Sequence, residues 1–348
     1  MIKIEKLLRT AVKYAASDLF LTAGAKPTLR INGDLVAIKE HPVVTPQMAQ
    51  EYIFEVLSET QKAIFNQGDD LDFSFEIPEV SHFRVNIFRQ KNGFGSSFRV
   101  ISSKIPKIDE LGLPEQLKTL TDLPHGLILI TGPSGSGKST TLASLLNEIN
   151  EKYAKHIITI EDPIEYVYTN NKSIIEQREV KTHCKSFESA LKSSLRENPD
   201  VIMVGELRDL ETIALAITAA ETGHLVLGTL HTSGAAKTIN RIIDIFPHDQ
   251  QEQIKTQLAE SMQAIIWQRL VKSADGKTRL PALEIMLNNP AVANLIRKGQ
   301  SHQLNNVIET SRKQGMQTMK RALLELAATG KITKEEAMRF LPIELEEG

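Results

Sequence analysis

Gly132-Pro133-Ser134-Gly135-Ser136-Gly137-Lys138-Ser139 fills every defining position of the GxxxxGK[ST] pattern. It stands between an apolar run, LILIT (127–131), and a helical stripe of Leu142, Leu145, Leu146 and Ile149. Strand, glycine-rich turn, helix is the context in which this pattern means a phosphate cradle. The glycines let backbone N–H groups close around phosphates at the positive end of a helix. Lys138 is then placed to meet the β and γ phosphates and Ser139 to hold Mg²⁺. Ser134, Gly135, Ser136, Gly137, Lys138, Ser139 and Thr140 are the candidate nucleotide-binding residues, with ATP and Mg²⁺ as the expected ligands. A nicotinamide site would need another glycine spacing.

Working outward, HIITI (156–160), VIMV (201–204) and LVLGT (225–229) repeat the theme of a continuous apolar run followed by a turn and a helical pattern. Such runs fit parallel strands covered by helices on both faces, which predicts an α/β core over residues 121–287. Asp200-Val201-Ile202-Met203-Val204-Gly205-Glu206 ends one of them in an acid, at the strand end that open α/β sheets present to ligand. Glu206 is the Walker B candidate, with Gly205 where aspartate is usual, so its contact with Mg²⁺ is expected through water. Glu161, Asp162 and Glu165 lie just beyond another strand, and one of them could orient or deprotonate an attacking water; the competing reading is a proline-broken turn with solvated acids.

His224 and His231 bracket LVLGT and lie seven residues apart, roughly 23 Å at about 3.3 Å per residue, so they cannot share a metal ion. His231 is at the carboxyl end, where an imidazole can sense a γ-phosphate, whereas His224 suits a structural role. Arg84, Arg99, Arg196 and Arg208 are each eligible as an arginine finger from a neighbouring subunit, against the ordinary fate of a solvated arginine.

The first hundred residues read differently. Ile4, Leu7, Leu8 and Ala11 mark an opening amphipathic helix. Asn32-Gly33 and Lys91-Asn92-Gly93 mark two hairpins, and Thr45-Pro46 a helix start. This predicts an α+β domain over residues 1–102. Residues 103–120, rich in proline and glycine, suit a linker with one short helix. From 288 to 348 the pattern is helical, with Met316, Met319, Leu323 and Leu326 on one stripe, a stop at Gly330 and a capping box at Thr333 and Glu336.

The 348 residues exceed what one hydrophobic core usually spans, and 41% hydrophobic with 24% charged content excludes disorder and fibrous repeats. A formal net charge of -2 gives no global pull toward nucleic acid, so no nucleic-acid partner is expected. Cys184 is the only cysteine, which excludes an internal disulfide. No apolar stretch approaches the roughly 18 residues of a membrane span, and the N-terminus has no signal-peptide core. The expected location is cytoplasmic, at most peripheral to a membrane.

IEDPIEYV (160–167), EQREV (176–180), DVIMVGELRDLET (200–212) and TAAETGHLVLGTLHT (218–232) resemble the Asp box, Walker B and His box of the type IV pilus retraction ATPases. SDLFLTAG, FRVN, SMQAIIWQRL and GMQT extend the resemblance over nearly the whole chain. The resemblance implies an N-terminal PAS-like domain, a RecA-like ATPase domain with C-terminal helices, and a homohexameric ring at the inner membrane face. It implies an inner-membrane pilus platform protein as partner, and a paralogous retraction ATPase as a further one. It makes Glu165 the catalytic glutamate, Glu206 the Walker B glutamate and His231 the γ-phosphate contact, and it favours Arg84 and Arg99 as ring-interface arginines. It also implies that ATP binding draws the N-domain of one subunit onto the core of the next.

The family's retraction motif, close to AIRNLIRE, is matched by Ala291-Val292-Ala293-Asn294-Leu295-Ile296-Arg297-Lys298, with Ala293 and Lys298 departing from it. That stretch also leans toward PilU-like accessory motors. Pilus assembly and type II secretion ATPases resemble the chain in their core motifs but usually carry a four-cysteine zinc module, which Cys184 alone cannot build. A type IV secretion ring ATPase matches in length, and a non-catalytic ATP-gated scaffold is the reading from another class.

Overall fold

A computed structural model describes residues 3–31, 33–101 and 104–341; Asn32 of the first predicted turn lies outside them. By packing, the chain divides into one unit of residues 1–104 with 163–167 and a second of 105–162 with 168–348.

In the first unit α1 (Lys3–Lys13) precedes β1 (Asp18–Thr22), β2 (Thr28–Ile31) and β3 (Asp34–Ala37). Helices α2 (Pro46–Phe54) and α3 (Glu59–Gln67) lead into β4 (Leu71–Ile77), β5 (Ser81–Gln90) and β6 (Gly93–Ile101). The strands form one antiparallel sheet in the order β3-β2-β1-β6-β5-β4. Period-two alternation builds its inner face: Phe83, Val85, Ile87 and Phe98 are buried while Arg84 and Arg99 are exposed. Ile4, Leu8, Ile53 and Phe65 from the helices complete that core. Thr45 caps α2 by accepting from the Met48 N–H at 3.2 Å, with Pro46 in the first turn, as its sequence predicts.

The second unit begins with α4 (Gln116–Thr119), β7 (Gly126–Thr131), α5 (Lys138–Lys152), β8 (His156–Glu161), β9 (Ile174–Glu179) and α6 (Phe187–Ser194). β10 (Val201–Val204), α7 (Leu210–Glu221), β11 (Leu225–Leu230), α8 (Ala235–Asp244) and α9 (Gln251–Ser261) follow. It closes with β12 (Met262–Lys272), β13 (Arg279–Leu287), α10 (Pro290–Arg297), α11 (Leu304–Thr310), α12 (Met319–Ala328) and α13 (Lys334–Phe340).

The strand order is β13-β12-β7-β11-β10-β8-β9, parallel except for the β12–β13 hairpin. The apolar runs are continuous because both faces are covered. Leu127, Leu129, Ile160, Ile202 and Val226 pack with α6–α11 on one side, and Ile128, Ile130, Val201 and Leu227 with Leu142, Leu145 and Leu146 of α5 on the other. Ile108, Leu113, Leu117 and Leu120, in the stretch read as a linker, are buried in this second layer.

Met319 and Leu323 are buried with Val271 and Ala282 and have Leu326 packed against them, and Thr333 caps α13 on the Glu336 N–H. Met316 of the same predicted stripe joins the main core instead. In α10, Val292, Ala293, Leu295 and Ile296 face inward, so the motif position occupied by Ala293 is a core position. Among the described residues no helix is long and apolar enough to cross a membrane.

Candidate active site

The loop between β7 and α5 has little freedom. A Cβ on Gly132, whose φ is +147°, would stand 2.3 Å from the Gln268 carbonyl oxygen of the neighbouring strand, so no side chain fits there. Gly137 is left-handed (φ +85°) and hands the chain directly to the first turn of α5. Lys138, only 8% exposed, folds back so that its ammonium donates to the carbonyls of Gly132 (2.9 Å) and Pro133 (3.2 Å). Ser134 and Gly135 are exposed at the loop crown, and Ser139 and Thr140 are half-buried on α5.

The hydroxyls of Thr131 and Ser136 are buried at this loop without a hydrogen-bond partner among the described residues. A buried donor left unmet is costly, and an anion in the cradle would satisfy it. The donor set therefore fits a phosphate group. A cavity of about 490 Å³ adjoins the loop, lined in part by Gly137, Thr140, Leu111, Leu270 and Arg279.

The parallel sheet brings three further strand ends to the same edge, because β7, β11, β10 and β8 are consecutive neighbours. Thr131 pairs with Leu230, Gly228 with Val204, and Val204 with Ile160. Glu206, two residues past β10, meets His231, one residue past β11: Oε1 lies 3.4 Å from Nε2 of His231, while Oε2 lies 2.7 Å from Nη2 of Arg208. Partial burial pushes the Glu206 carboxyl up, but the Arg208 hydrogen bond and charge, helped by His231, hold it below the ordinary carboxylate range. The sequence places Glu206 and His231 each at a strand end and counts Arg208 among the eligible arginines; it is the tertiary fold that joins the three.

Gly205 packs tightly against the end of β8. Its N–H donates to the Ile160 carbonyl at 2.8 Å, its carbonyl accepts from the Thr229 hydroxyl at 2.5 Å, and a Cβ there would come within 3.2 Å of the Ile160 oxygen. A side chain there needs the β8 backbone to give by a few tenths of an ångström.

Glu161 is 6% exposed at the end of β8, where one carboxylate oxygen accepts from the Thr159 hydroxyl (2.7 Å) and Gln177 Nε2 (3.1 Å). Asp162 is exposed. Glu165 is also exposed and packs with the first unit, whereas the phosphate loop belongs to the second. Arg84 and Arg99 are in the first unit too, directly opposite each other on β5 and β6. Arg99 Nε donates to Asp18 Oδ1 at 3.0 Å. His224 has the structural role: its Nδ1 lies 3.0 Å from the Ala219 carbonyl at the turn into β11. Arg196 is exposed on the approach to β10. Among the described residues no cluster of three or more His, Cys, Asp or Glu is disposed to hold a metal ion; an ion carried by phosphates, Ser139 and water needs no such cluster.

The family described as type II/IV secretion system protein matches residues 1–339. The chain is 47% identical over 334 residues to the type IV pilus retraction ATPase PilT of Pseudomonas aeruginosa, covering 96% of each. It is 42% identical over 336 residues to the type IV pilus ATPase PilU of the same organism, covering 97% of this chain and 88% of that one. A solved structure of the pilus retraction motor PilT with bound ADP superposes with a TM-score of 0.92 at 45% identity over 98% of both chains.

Proposed function

The chain belongs to the type II/IV secretion system protein family and is an ATPase, and on that premise we propose that it is the motor that powers type IV pilus retraction. The observation that carries this is the joined pair Glu206–His231 at the strand ends beside the phosphate loop, in a chain that matches a retraction ATPase from end to end. The mixed α/β fold is that of the retraction motor, and the first unit is read as its PAS-like domain.

In this reading ATP lies on the loop of residues 134–140 with its nucleoside toward the cavity beside Gly137 and Thr140. Backbone N–H groups, the Ser136 hydroxyl and Lys138 hold the phosphates, and Ser139 holds Mg²⁺, with Glu206 reaching the ion through water. Mg²⁺, when bound, neutralises charge developing on the transferred phosphoryl group. Lys138 must leave its two carbonyl acceptors to do the same, so it is held in reserve by the loop. Glu206, kept ionised by Arg208, fixes His231, whose imidazole contacts the γ-phosphate. Glu165 orients and deprotonates the attacking water, and Arg84 and Arg99 are the arginines a neighbouring subunit presents within a homohexamer. The ring works on an inner-membrane platform protein, with a paralogous retraction ATPase as a second partner, from the cytoplasmic face.

Replacing Glu206 or Glu165 by Gln is expected to lower phosphate release by roughly 10²-fold or more while ATP still binds. Steady-state phosphate release with parallel nucleotide titration checks this. A wild type that binds ATP without turnover would sink the motor reading in favour of a scaffold. Loss of the gene is expected to leave cells piliated but unable to twitch; unchanged twitching would count against retraction.

A further inference from the structure

We propose that Gln268 is a positioning residue for nucleotide phosphate, acting from β12 on the backbone of the phosphate loop. The inference rests on the ATPase reading above and names a residue which that reading does not use.

Gln268 is 2% exposed, on the strand that runs parallel to β7, where its neighbour Trp267 pairs with Thr131. Both ends of its amide are engaged across the loop. Nε2 donates to the Ser136 carbonyl at 2.7 Å, and Oε1 accepts from the Thr141 hydroxyl at 2.8 Å. The orientation of the amide is forced, because a backbone carbonyl can only accept. Thr141 is itself 1% exposed on the first turn of α5, and its N–H donates to Gly137 at 3.0 Å. One side chain therefore ties the loop at Ser136 to the helix that follows it, around the left-handed Gly137.

The consequence lies in the peptide plane joining Ser136 to Gly137. In a trans peptide the C=O and N–H point in opposite directions. Drawing the Ser136 carbonyl outward to Gln268 turns the Gly137 N–H toward the concave side of the loop, where phosphate binds. Without that anchor the plane is free to rotate and present a carbonyl oxygen to an anion. The same strand also sets the loop's other wall, since the Gln268 carbonyl oxygen excludes any side chain at Gly132 and Nε2 lies 2.9 Å from where a Cβ of Gly137 would be. A buried amide with both ends satisfied would be an unusual way to fill space that Met or Leu could fill, because its polar atoms must be desolvated. Its partners give the reason.

The test uses the full chain and ADP, whose β-phosphate sits on the loop without engaging the γ-phosphate residues. In Gln268→Met, close in volume but unable to hydrogen bond, ADP affinity measured by calorimetry is expected to fall roughly tenfold, the worth of about one well-made hydrogen bond. KM for ATP should rise in step, with kcat at saturation changing by less than about threefold. Thr141→Val, which removes the other half of the bridge, is expected to weaken ADP in the same direction by a smaller factor. Gln268→Glu supplies a readout that packing alone does not. As a carboxylate it faces the Ser136 carbonyl with a second acceptor and should bind ADP poorly at about pH 8. Protonated, its O–H replaces the lost donor, so affinity relative to wild type should recover as pH falls toward about 5.5.

Melting temperatures lowered in all three variants with ADP affinity within twofold of wild type would reduce Gln268 to a packing residue and overturn the proposal. So would a Gln268→Glu defect equal at both pH values. A wild type that fails to bind ADP would instead overturn the ATPase reading itself, which keeps the two failures distinct.

Discussion

Glu206 shows how a strand-end carboxylate is tuned by what the fold sets beside it. Burial alone would raise its pKa; Arg208 two residues on and His231 from the adjacent strand reverse that. A lowered folded pKa means the ion pairing is present at neutral pH and is lost as pH falls through the folded value. Removing the arginine should therefore move the carboxylate's titration upward. In Arg208→Ala the acid limb of the pH profile for ATP turnover is expected to shift to higher pH, while nucleotide affinity at neutral pH changes little. An acid limb that stays in place would mean that Arg208 is only a solvated neighbour.

At the scale of elements, two acids tie neighbouring elements together, and they respond to pH in opposite directions. Asp200 precedes β10 and accepts from the His156 N–H (2.9 Å) and Lys155 Nζ (3.1 Å), which joins the starts of β8 and β10. Partial burial raises its pKa, yet these two bonds leave it lowered overall. Glu284 of β13, 7% exposed, accepts from the N–H of Ala235 at 2.8 Å and from that of Met319, the first residues of α8 and α12. There burial dominates, and the carboxyl is pushed up despite both bonds.

The Asp200 contribution is present above the unfolded carboxylate pKa and is lost as pH falls. With its side chain 43% exposed, Asp200→Asn should cost only about 0.5–1 kcal/mol at neutral pH and nothing in acid, by urea melts at both pH values. Glu284 titrates the other way, so the wild type should lose stability as pH rises through its raised pKa. Glu284→Gln should lack that slope, while Glu284→Ala, which strands two helix N–H groups, should cost about 2–4 kcal/mol.

The β12–β13 hairpin illustrates what element-level reading passes over. Met262–Lys272 mixes Gln263, Gln268, Arg269 and Lys272 with apolar residues, so neither a continuous run nor a clean alternation marks it. It is a strand because β7 offers one edge and β13 the other. Ile174–Glu179 on the opposite edge is likewise half polar, and its Ile174 is 61% exposed.

Across the whole molecule, each unit has its own core, one of Phe65, Phe83 and Phe98 with the aliphatic residues around them, the other built on both faces of the parallel sheet. All of the phosphate loop lies in the second. ADP, which lacks the γ-phosphate, should thus stabilise one cooperative unit and not the other. At Mg²⁺-ADP about 100 times its Kd, the gain is about 2.7 kcal/mol, or roughly 5–10 °C for a unit of this size. Calorimetry is expected to show two transitions with only the larger one moved; equal movement of both would mean the units melt as one.

The sequence by itself determined the phosphate loop, the parallel strands that flank it, both hairpins of the first unit and the strand-end positions of Glu206 and His231. These rest on local rules: glycine where the backbone must turn, apolar runs where both faces are covered, and ligand residues at the carboxyl ends of strands. Only the tertiary structure decided that Gly205 lies tight against the β8 backbone, that Glu206 and His231 meet, that Ala293 is a core residue, and that Gln268 clasps a loop more than a hundred residues away. Those depend on which strands lie side by side, and strand order is a property of the packed sheet that no local pattern encodes.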